Sequence, residues 1–317
     1  MRFYGVILSC VLGLIVQPAG AATPQQLERA AAAKRSKQAQ QPKLAKRESS
    51  EALKKLKQER AKAASIKAGP LKPSIDQSHR SNFPDPKKTS VRSNGTYPWH
   101  FDITATYFYI GERPTKNNPT PNTASSWDSA WDDNYGGFDD PNPAHRCPRT
   151  YAPLAFTPQL NPFYVALPYN DIHKGGPKPE AAKVIPWYRR DKDGKYESVC
   201  RGTWVQIYYN GRYCFAQWED CGPFVTDDWQ YVFGTARPKN TANKCAGIDI
   251  SPAVRDYLGI KGGTATVHWR FVEFSRVPGG PWARFGKDNP FVNPALKQAV
   301  RKYEERVKRS KVSRAAR

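Results

Sequence analysis

The sequence predicts a mainly β domain carried between two basic arms, and three observations lead there. Residues 203–218 (TWVQIYYNGRYCFAQW) alternate apolar and polar side chains on both sides of Asn210-Gly211, the dipeptide that most strongly marks a two-residue hairpin. The same alternation recurs in ITATYFYI (Ile103–Ile110) and TATVHWRFVEF (Thr264–Phe274), as half-buried strands require. Charge also divides along the chain. The 317 residues carry 50 Lys+Arg against 28 Asp+Glu, a net +22, yet residues 99–275 hold 19 basic and 19 acidic side chains, so the excess lies in the flanks.

Taken in order, residues 1–22 have one Arg, an apolar run from Phe3 to Val16, Pro18 and then the small residues Ala19, Gly20 and Ala21. That is the pattern of a secretory signal cleaved near Ala21 or Ala22, and the run is too short to span a bilayer comfortably. No later run is apolar enough for a membrane helix, so the expected mature protein is exported and has no transmembrane span. Residues 23–98 are first rich in Ala, Lys and Gln, then in Pro and Ser. Their Leu residues build no continuous stripe and Pro42 interrupts a single helix, so a largely disordered basic arm and linker is expected.

The domain proper is expected over 99–275. NPFYVALP (Asn161–Pro168) adds a strand to those already named. The Asn-Gly turn pairs Tyr209 with Arg212, Ile207 with Cys214 and Val205 with Ala216, which places Val205, Ile207, Cys214, Ala216 and Trp218 on one inward face. In AGIDISPAVRDYLGIKGG, Ile248 and Ile250 flank Asp249 in a short strand. Ser251 then caps a helix with Pro252 at its first position and Gly259 at its end. The loop SSWDSAWDDNYGGFDDPNP shows no regular pattern. Residues 276–317 form a basic tail in which Leu296, Val300, Tyr303 and Val307 fall at helical spacing, able to dock on the domain or stay solvated. The basic flanks fit either solubilising tails or electrostatic attachment to an anionic surface. Export and the lack of a base-reading motif argue against nucleic acid.

Export permits disulfides. Five cysteines remain beyond Cys10, an odd number, and Cys214 on the inward face is a candidate free thiol. Extending the hairpin register opposes Cys200 to Cys221, which leaves Cys147 with Cys245 as the second expected bridge. No CxxC or HxxxH spacing is present, so no metal site and no cofactor are expected. The Asp residues from Asp128 to Asp140 match no calcium loop.

Two carboxylates draw the chemistry. In WEDCGPF, strand parity points Asp220 inward with Trp218 and Glu219 away. Asp249 faces opposite to Ile248 and Ile250, near a helix start that favours its ionised form. Two carboxyls in different environments can serve as proton donor and polar stabiliser in glycosidic cleavage; each can equally be a capping or loop-bracing Asp. Aromatic side chains, including Trp99, Tyr107, Tyr109, Trp127, Trp131, Trp229 and Tyr231, offer faces for stacking on sugars or for ordinary core packing.

The order of strand, Asn-Gly hairpin, Asp220-Cys221-Gly222-Pro223-Phe224, Ile248-Asp249-Ile250-Ser251, a short helix ending Leu258-Gly259, and a last strand resembles the six-stranded double-psi β-barrel of rare lipoprotein A-like proteins. It resembles expansins and family 45 endoglucanases more distantly. The counterparts are the DRGPF and IDLS segments of that group, and Thr106-Tyr107 is similar to its opening T-x-Y strand. The resemblance implies Asp249 as the activity-essential acid and Asp220 as its supporting partner; Thr106, Tyr107, Tyr109, Trp229 and Tyr231 are the residues expected to contact a glycan. The resemblance also implies an exported or cell-envelope protein acting on cell-wall polysaccharide, either as a peptidoglycan lytic transglycosylase or as a non-catalytic wall-binding protein. The chain departs from the group in lacking its upstream Glu and the His before Leu167-Pro168, in carrying Cys221 for Arg, and in inserting Asn170–Glu197.

Overall fold

The computed structural model describes residues 86–87, 97–115, 120–189 and 196–315, all within the compact unit Ala64–Arg317. The expected signal segment and nearly all of the N-terminal arm lie outside the described residues. The strands are β1 (His100–Tyr107), β2 (Tyr164–Leu167), β3 (Ile172–His173), β4 (Gly176–Pro177), β5 (Trp204–Tyr209), β6 (Arg212–Cys221), β7 (Ala246–Ile250) and β8 (Ala265–Val272). Six of them close into a barrel in the order β1-β7-β2-β6-β5-β8, with β8 pairing back to β1; β3 and β4 form a separate hairpin. The pairs β1–β7 and β2–β6 are parallel and the other barrel pairs are antiparallel.

The β5–β6 hairpin has the expected register, Tyr209 opposite Arg212, Ile207 opposite Cys214 and Val205 opposite Ala216. Asn210 and Gly211 take φ of 43° and 78°, the doubly left-handed turn that matches strand twist. Val205, Ile207, Cys214, Ala216 and Trp218 are all fully buried, joined by Ile103, Val165, Leu167, Ile248, Ile250, Val267, Trp269 and Phe271 inside the barrel. Burial pushes the Cys214 thiol well up, so it behaves as a small apolar side chain.

The helix Pro252–Leu258 forms as its punctuation predicts. Ser251 Oγ accepts from the Val254 N–H at 3.3 Å, and Gly259 closes the helix with φ of 73°. The loop without a visible pattern folds over the outside of β2. It contributes a short helix, Trp131–Tyr135, to a second apolar cluster of Phe108, Ile110, Trp131, Tyr135, Leu160, Tyr164 and Ala166. Its brace is Asp139, fully buried, which accepts from Tyr164 Oη at 2.7 Å and Tyr135 Oη at 3.0 Å and pairs with Arg146. Trp131 therefore packs inside and is closed to ligands.

The C-terminal segment docks. Its helix, Pro294–Ala315, starts where Asn293 Oδ1 accepts the Ala295 and Leu296 N–H groups, and Leu296, Val300, Tyr303 and Val307 face the barrel. Between helix and barrel lies a cavity of about 220 Å³. No described helix is long and apolar enough to cross a membrane.

Two expectations are corrected. From Val165 to Ala166 on β2, the partner on β6 advances from Trp218 to Asp220, so Glu219 is an extra, bulged residue. A bulge shifts side-chain parity by one. Trp218 stays in the core, Asp220 moves to the face of Ala166 instead of pointing inward, and Glu219, expected to face away, is only 2% exposed. The β5–β6 ladder ends at Trp204 opposite Gln217, so the register that opposed Cys200 to Cys221 is not carried that far. The five described cysteines are all free thiols, so neither the Cys200–Cys221 nor the Cys147–Cys245 bridge is formed. Cys221 Sγ instead donates to the Tyr169 carbonyl at 3.2 Å, and Cys245 is exposed at the turn into β7.

Candidate functional site

Strand register gathers the predicted residues into a row. Thr106 on β1 pairs with Asp249 on β7, Asp249 pairs with Ala166 on β2, and Ala166 pairs with Asp220 on β6. Directly paired residues share a sheet face, so Thr106, Asp249, Ala166 and Asp220 lie side by side on the outside of the barrel. Ala166 supplies only a methyl between the two carboxylates. A Cβ on Gly222 would sit 3.6 Å from Asp249 Oδ2 and 3.8 Å from the Ala166 Cβ, so the missing side chain keeps the ground beside Asp249 low.

The two carboxyls are held differently. Thr106 Oγ1 donates to Asp249 Oδ1, and the half-buried Asp249 carboxyl is pushed up to about 7. Burial is the main cause; the Thr106 bond opposes it, while the negative charges of Asp220 and Glu112 add to it. The net push is thus toward the protonated form, opposite to the direction expected from the start of the following helix, whose first turn is capped by Ser251. Asp220 is also raised by burial, but Oδ1 accepts the Ser126 N–H at 2.7 Å and the Cys221 N–H at 2.8 Å, which pull the other way. Asp220 thus braces the Ser126 loop, while burial holds the Asp249 carboxyl well above the ordinary carboxylate range.

Aromatic side chains border the row. Tyr107, beside Thr106, is 38% exposed; its ring stacks on Tyr109 at 6.5 Å and carries the Arg255 guanidinium at 5.0 Å. Phe138, 47% exposed, meets Tyr109 edge-on at 5.7 Å. On the other side, Phe224 is 61% exposed two residues past Gly222, with a φ of 63° that a bulky residue rarely adopts. These three are the only large aromatic side chains counted as exposed among the described residues.

Two of the expected contact residues lie elsewhere. Tyr231 is sealed in the core, where its hydroxyl accepts from Trp269 Nε1 at 2.7 Å, so it cannot touch a glycan. Trp229 packs half-buried against the same core. Sequence reasoning missed Phe138, Phe224, Glu112 and Gly222. The signal for Phe138 and Phe224 was present: each is an aromatic beside Gly or Pro, outside any alternating run, where no core face claims it.

A second polar cluster lies behind the row. Glu219 Oε2 accepts from Arg201 Nε at 3.2 Å, and Arg201 also pairs with Asp128 at 3.1 Å and donates to the Trp127 carbonyl. Glu219 Oε1 is buried without a partner among the described residues; burial lifts the carboxyl to about 6, with Arg201 opposing. Among the described residues, no three His, Cys, Asp or Glu side chains are arranged to hold a metal.

No family model matches the chain, and no curated protein matches it. Among solved structures it is similar to the Streptomyces papain inhibitor, at 15% identity over 56% of this chain and 97% of that one, with a TM-score of 0.23.

Proposed function

We propose that the protein is an exported double-psi β-barrel that acts on cell-wall polysaccharide, cleaving peptidoglycan glycan as a lytic transglycosylase with Asp249 as its single acid and base. The observation that carries this reading is the Asp249 carboxyl itself: half-buried, pushed up to about 7, and lying in one row with Thr106 and Asp220 on an outer barrel face. The closed barrel of six strands and the Asp220-to-Phe224 and Ile248-to-Ser251 segments support the double-psi assignment. The apolar leader supports export.

In this mechanism protonated Asp249 gives its proton to the glycosidic oxygen as the bond from that oxygen to the anomeric carbon breaks. The carboxylate left behind takes the proton of a hydroxyl on the same sugar, whose oxygen closes onto the anomeric carbon as an anhydro ring. Asp249 ends protonated and no water is consumed. Thr106 orients the carboxyl by its hydrogen bond, and the charge of Asp220 helps keep the proton on Asp249.

A second reading, a non-catalytic wall-glycan binder, is favoured by the exposed Tyr107, Phe138 and Phe224, which offer stacking faces without needing a titrating group. One experiment separates the two. Purified protein and Asp249→Asn are incubated with peptidoglycan, and released anhydro-muropeptides and sedimented protein are both measured. The enzyme reading expects product from the wild type and a loss of at least a hundredfold in the variant. Absence of product with undiminished sedimentation selects the binder.

A further inference from the structure

Across the barrel from the Asp249 row lies the outer face of β5 and β8, with the starts of β1 and β6, since β5 and β8 stand opposite β7 and β2 in the ring of strands. Strand parity puts Tyr213 outside, next to inward Cys214, and Arg270 outside, between inward Trp269 and Phe271. Phe101 sits at an irregular step of β1 and meets the outward His268 edge-on at 5.3 Å. Trp99 completes the group. Its ring is inclined by 24° to Phe101 at 6.4 Å and by 33° to Tyr213 at 6.1 Å. All three rings are half-buried, and Trp99 and Phe101 are packed into neither apolar cluster of the barrel. The result is a surface of nearly parallel rings that core packing does not account for.

One guanidinium stands in this surface without an acid. Arg270 lies over the Trp99 ring at 4.6 Å and donates from Nε to Gln206 Oε1 at 2.8 Å. Arg146, Arg201 and Arg255 each have a carboxylate at the guanidinium, whereas Arg270 has none among the described residues. Its two Nη groups have no acceptor among those residues either, and neither is sealed, so both open to solvent. Burial, with the Arg276 charge nearby, pushes the Arg270 pKa below the ordinary arginine value. An anion set before the Nη pair would relieve both effects.

We propose that this face binds a polysaccharide containing uronic acid residues, whose pyranose faces stack on Trp99, Phe101 and Tyr213 while a ring carboxylate accepts both Nη groups of Arg270. A uronate carboxyl is fixed at the edge of its own sugar ring, so stacking that ring brings the anion to the rim where the guanidinium opens. Bidentate pairing of this kind is the strong form of a charged hydrogen bond. A neutral glycan would stack and leave Arg270 unpaired. The lactyl carboxyl of a wall glycan hangs on a flexible ether and is an amide wherever a stem peptide is attached. Single-stranded nucleic acid also stacks on rings, but it calls for a cationic groove along its phosphates, and here one guanidinium is open. The site is independent of the reading given to Asp249.

The full chain is titrated by calorimetry with tetragalacturonate and with its methyl ester, which has the same rings without the charge. Because the basic flanks attract any polyanion, the deciding variants alter charge little or not at all. The proposal expects saturable binding, with the acid held about tenfold more tightly than the ester. Trp99→Ala, which keeps every charge, weakens both about tenfold. Arg270→Gln removes the preference for the acid and leaves the affinity for the ester within about twofold. Both substitutions lie on the outer face, and an unchanged melting transition shows each variant to be folded; Tyr213→Ala repeats the Trp99 measurement at a second ring. No saturable binding by the wild type overturns the proposal. Affinity for the acid that is unchanged in both ring variants, or a preference that persists in Arg270→Gln, assigns the binding to the flanks and does the same. Tighter binding of a peptide-free wall tetrasaccharide, or of an oligothymidylate of equal charge, also overturns it.

Discussion

At the residue scale, the row from Thr106 to Asp220 shows how a carboxyl acquires a useful proton affinity without a metal-like partner. Burial supplies most of the upward push on Asp249, the neighbouring negative charges add to it, and one hydroxyl bond restrains it. Removing a neighbouring charge therefore lowers Asp249 toward the ordinary carboxylate range. If the protonated form is the active one, wild-type kcat/KM falls as pH rises through about 7. Asp220→Asn moves that alkaline limb to lower pH, while Thr106→Val, which removes the restraining bond, moves it higher; pH–rate profiles on peptidoglycan read both. Stability has its own signature. A carboxyl raised in the folded state costs nothing below its unfolded pKa near 3.9, and it costs progressively more as pH climbs toward 7. Asp249→Asn is thus expected to match wild type near pH 4 and to exceed it by about 2 kcal/mol at pH 8, a value discounted for partial exposure. Urea unfolding at the two pH values measures the difference, and equal stability at both would remove the case for a raised Asp249.

At the element scale, one extra residue in β6 rearranges the site. Strand alternation read from the sequence is sound up to Trp218, because the Asn-Gly turn sets the register and every inward residue there is apolar. It fails at Glu219, where the bulge serves a parallel pairing with β2 that no local pattern announces, since parallel partners are distant in sequence. β7 was legible and the Cys200–Cys221 bridge was not, because Ile248 and Ile250 declare their face locally, whereas the bridge depended on extending the hairpin register beyond Trp204 and Gln217, where the pairing ends. The bulge also buries Glu219, and Arg201 is its compensating charge. Arg201→Ala leaves Glu219 and Asp128 without that partner, and breaking such a pair costs about 2 kcal/mol once the partial exposure of Arg201 is allowed for. The loss is larger at pH 8 than at pH 5, because protonated Glu219 needs no cation. Arg201→Ala combined with Glu219→Gln recovers most of it. A loss independent of pH, measured by urea unfolding, would mean that Arg201 contributes only by packing.

At the scale of the whole molecule, charge divides between a balanced barrel and strongly basic flanks. Composition alone makes that division plain, since residues 99–275 carry equal numbers of acidic and basic side chains within a chain of +22. Hidden in the sequence was the way the C-terminal flank is used. Leu296, Val300, Tyr303 and Val307 show helical spacing, but the barrel surface that receives them comes from Trp187, Trp204, Val272 and Phe274, spread over nearly ninety residues of chain. Docking buries the apolar side of this helix, while Arg301, Lys302 and Arg309 stay exposed. The basic charge of this helix is therefore displayed beside the barrel, and under the proposed function any attraction to an anionic wall would act through solvent-exposed groups that salt screens. The Debye length shrinks from ~10 Å at 0.1 M salt to ~3 Å at 1 M, so wall binding should fall steeply across that range. The chemistry at Asp249 depends on buried and half-buried groups and is screened much less. Sedimentation with peptidoglycan should therefore drop at least tenfold between 0.1 M and 1 M salt, while cleavage of a short soluble glycan strand changes less than twofold. Reversing the exposed charges, as Arg301→Glu with Lys302→Glu and Arg309→Glu, should reproduce the high-salt loss of sedimentation at 0.1 M salt with cleavage intact. Wall binding that survives both salt and charge reversal would place recognition on the aromatic row of Tyr107, Phe138 and Phe224 alone and reduce the flanks to solubilising tails.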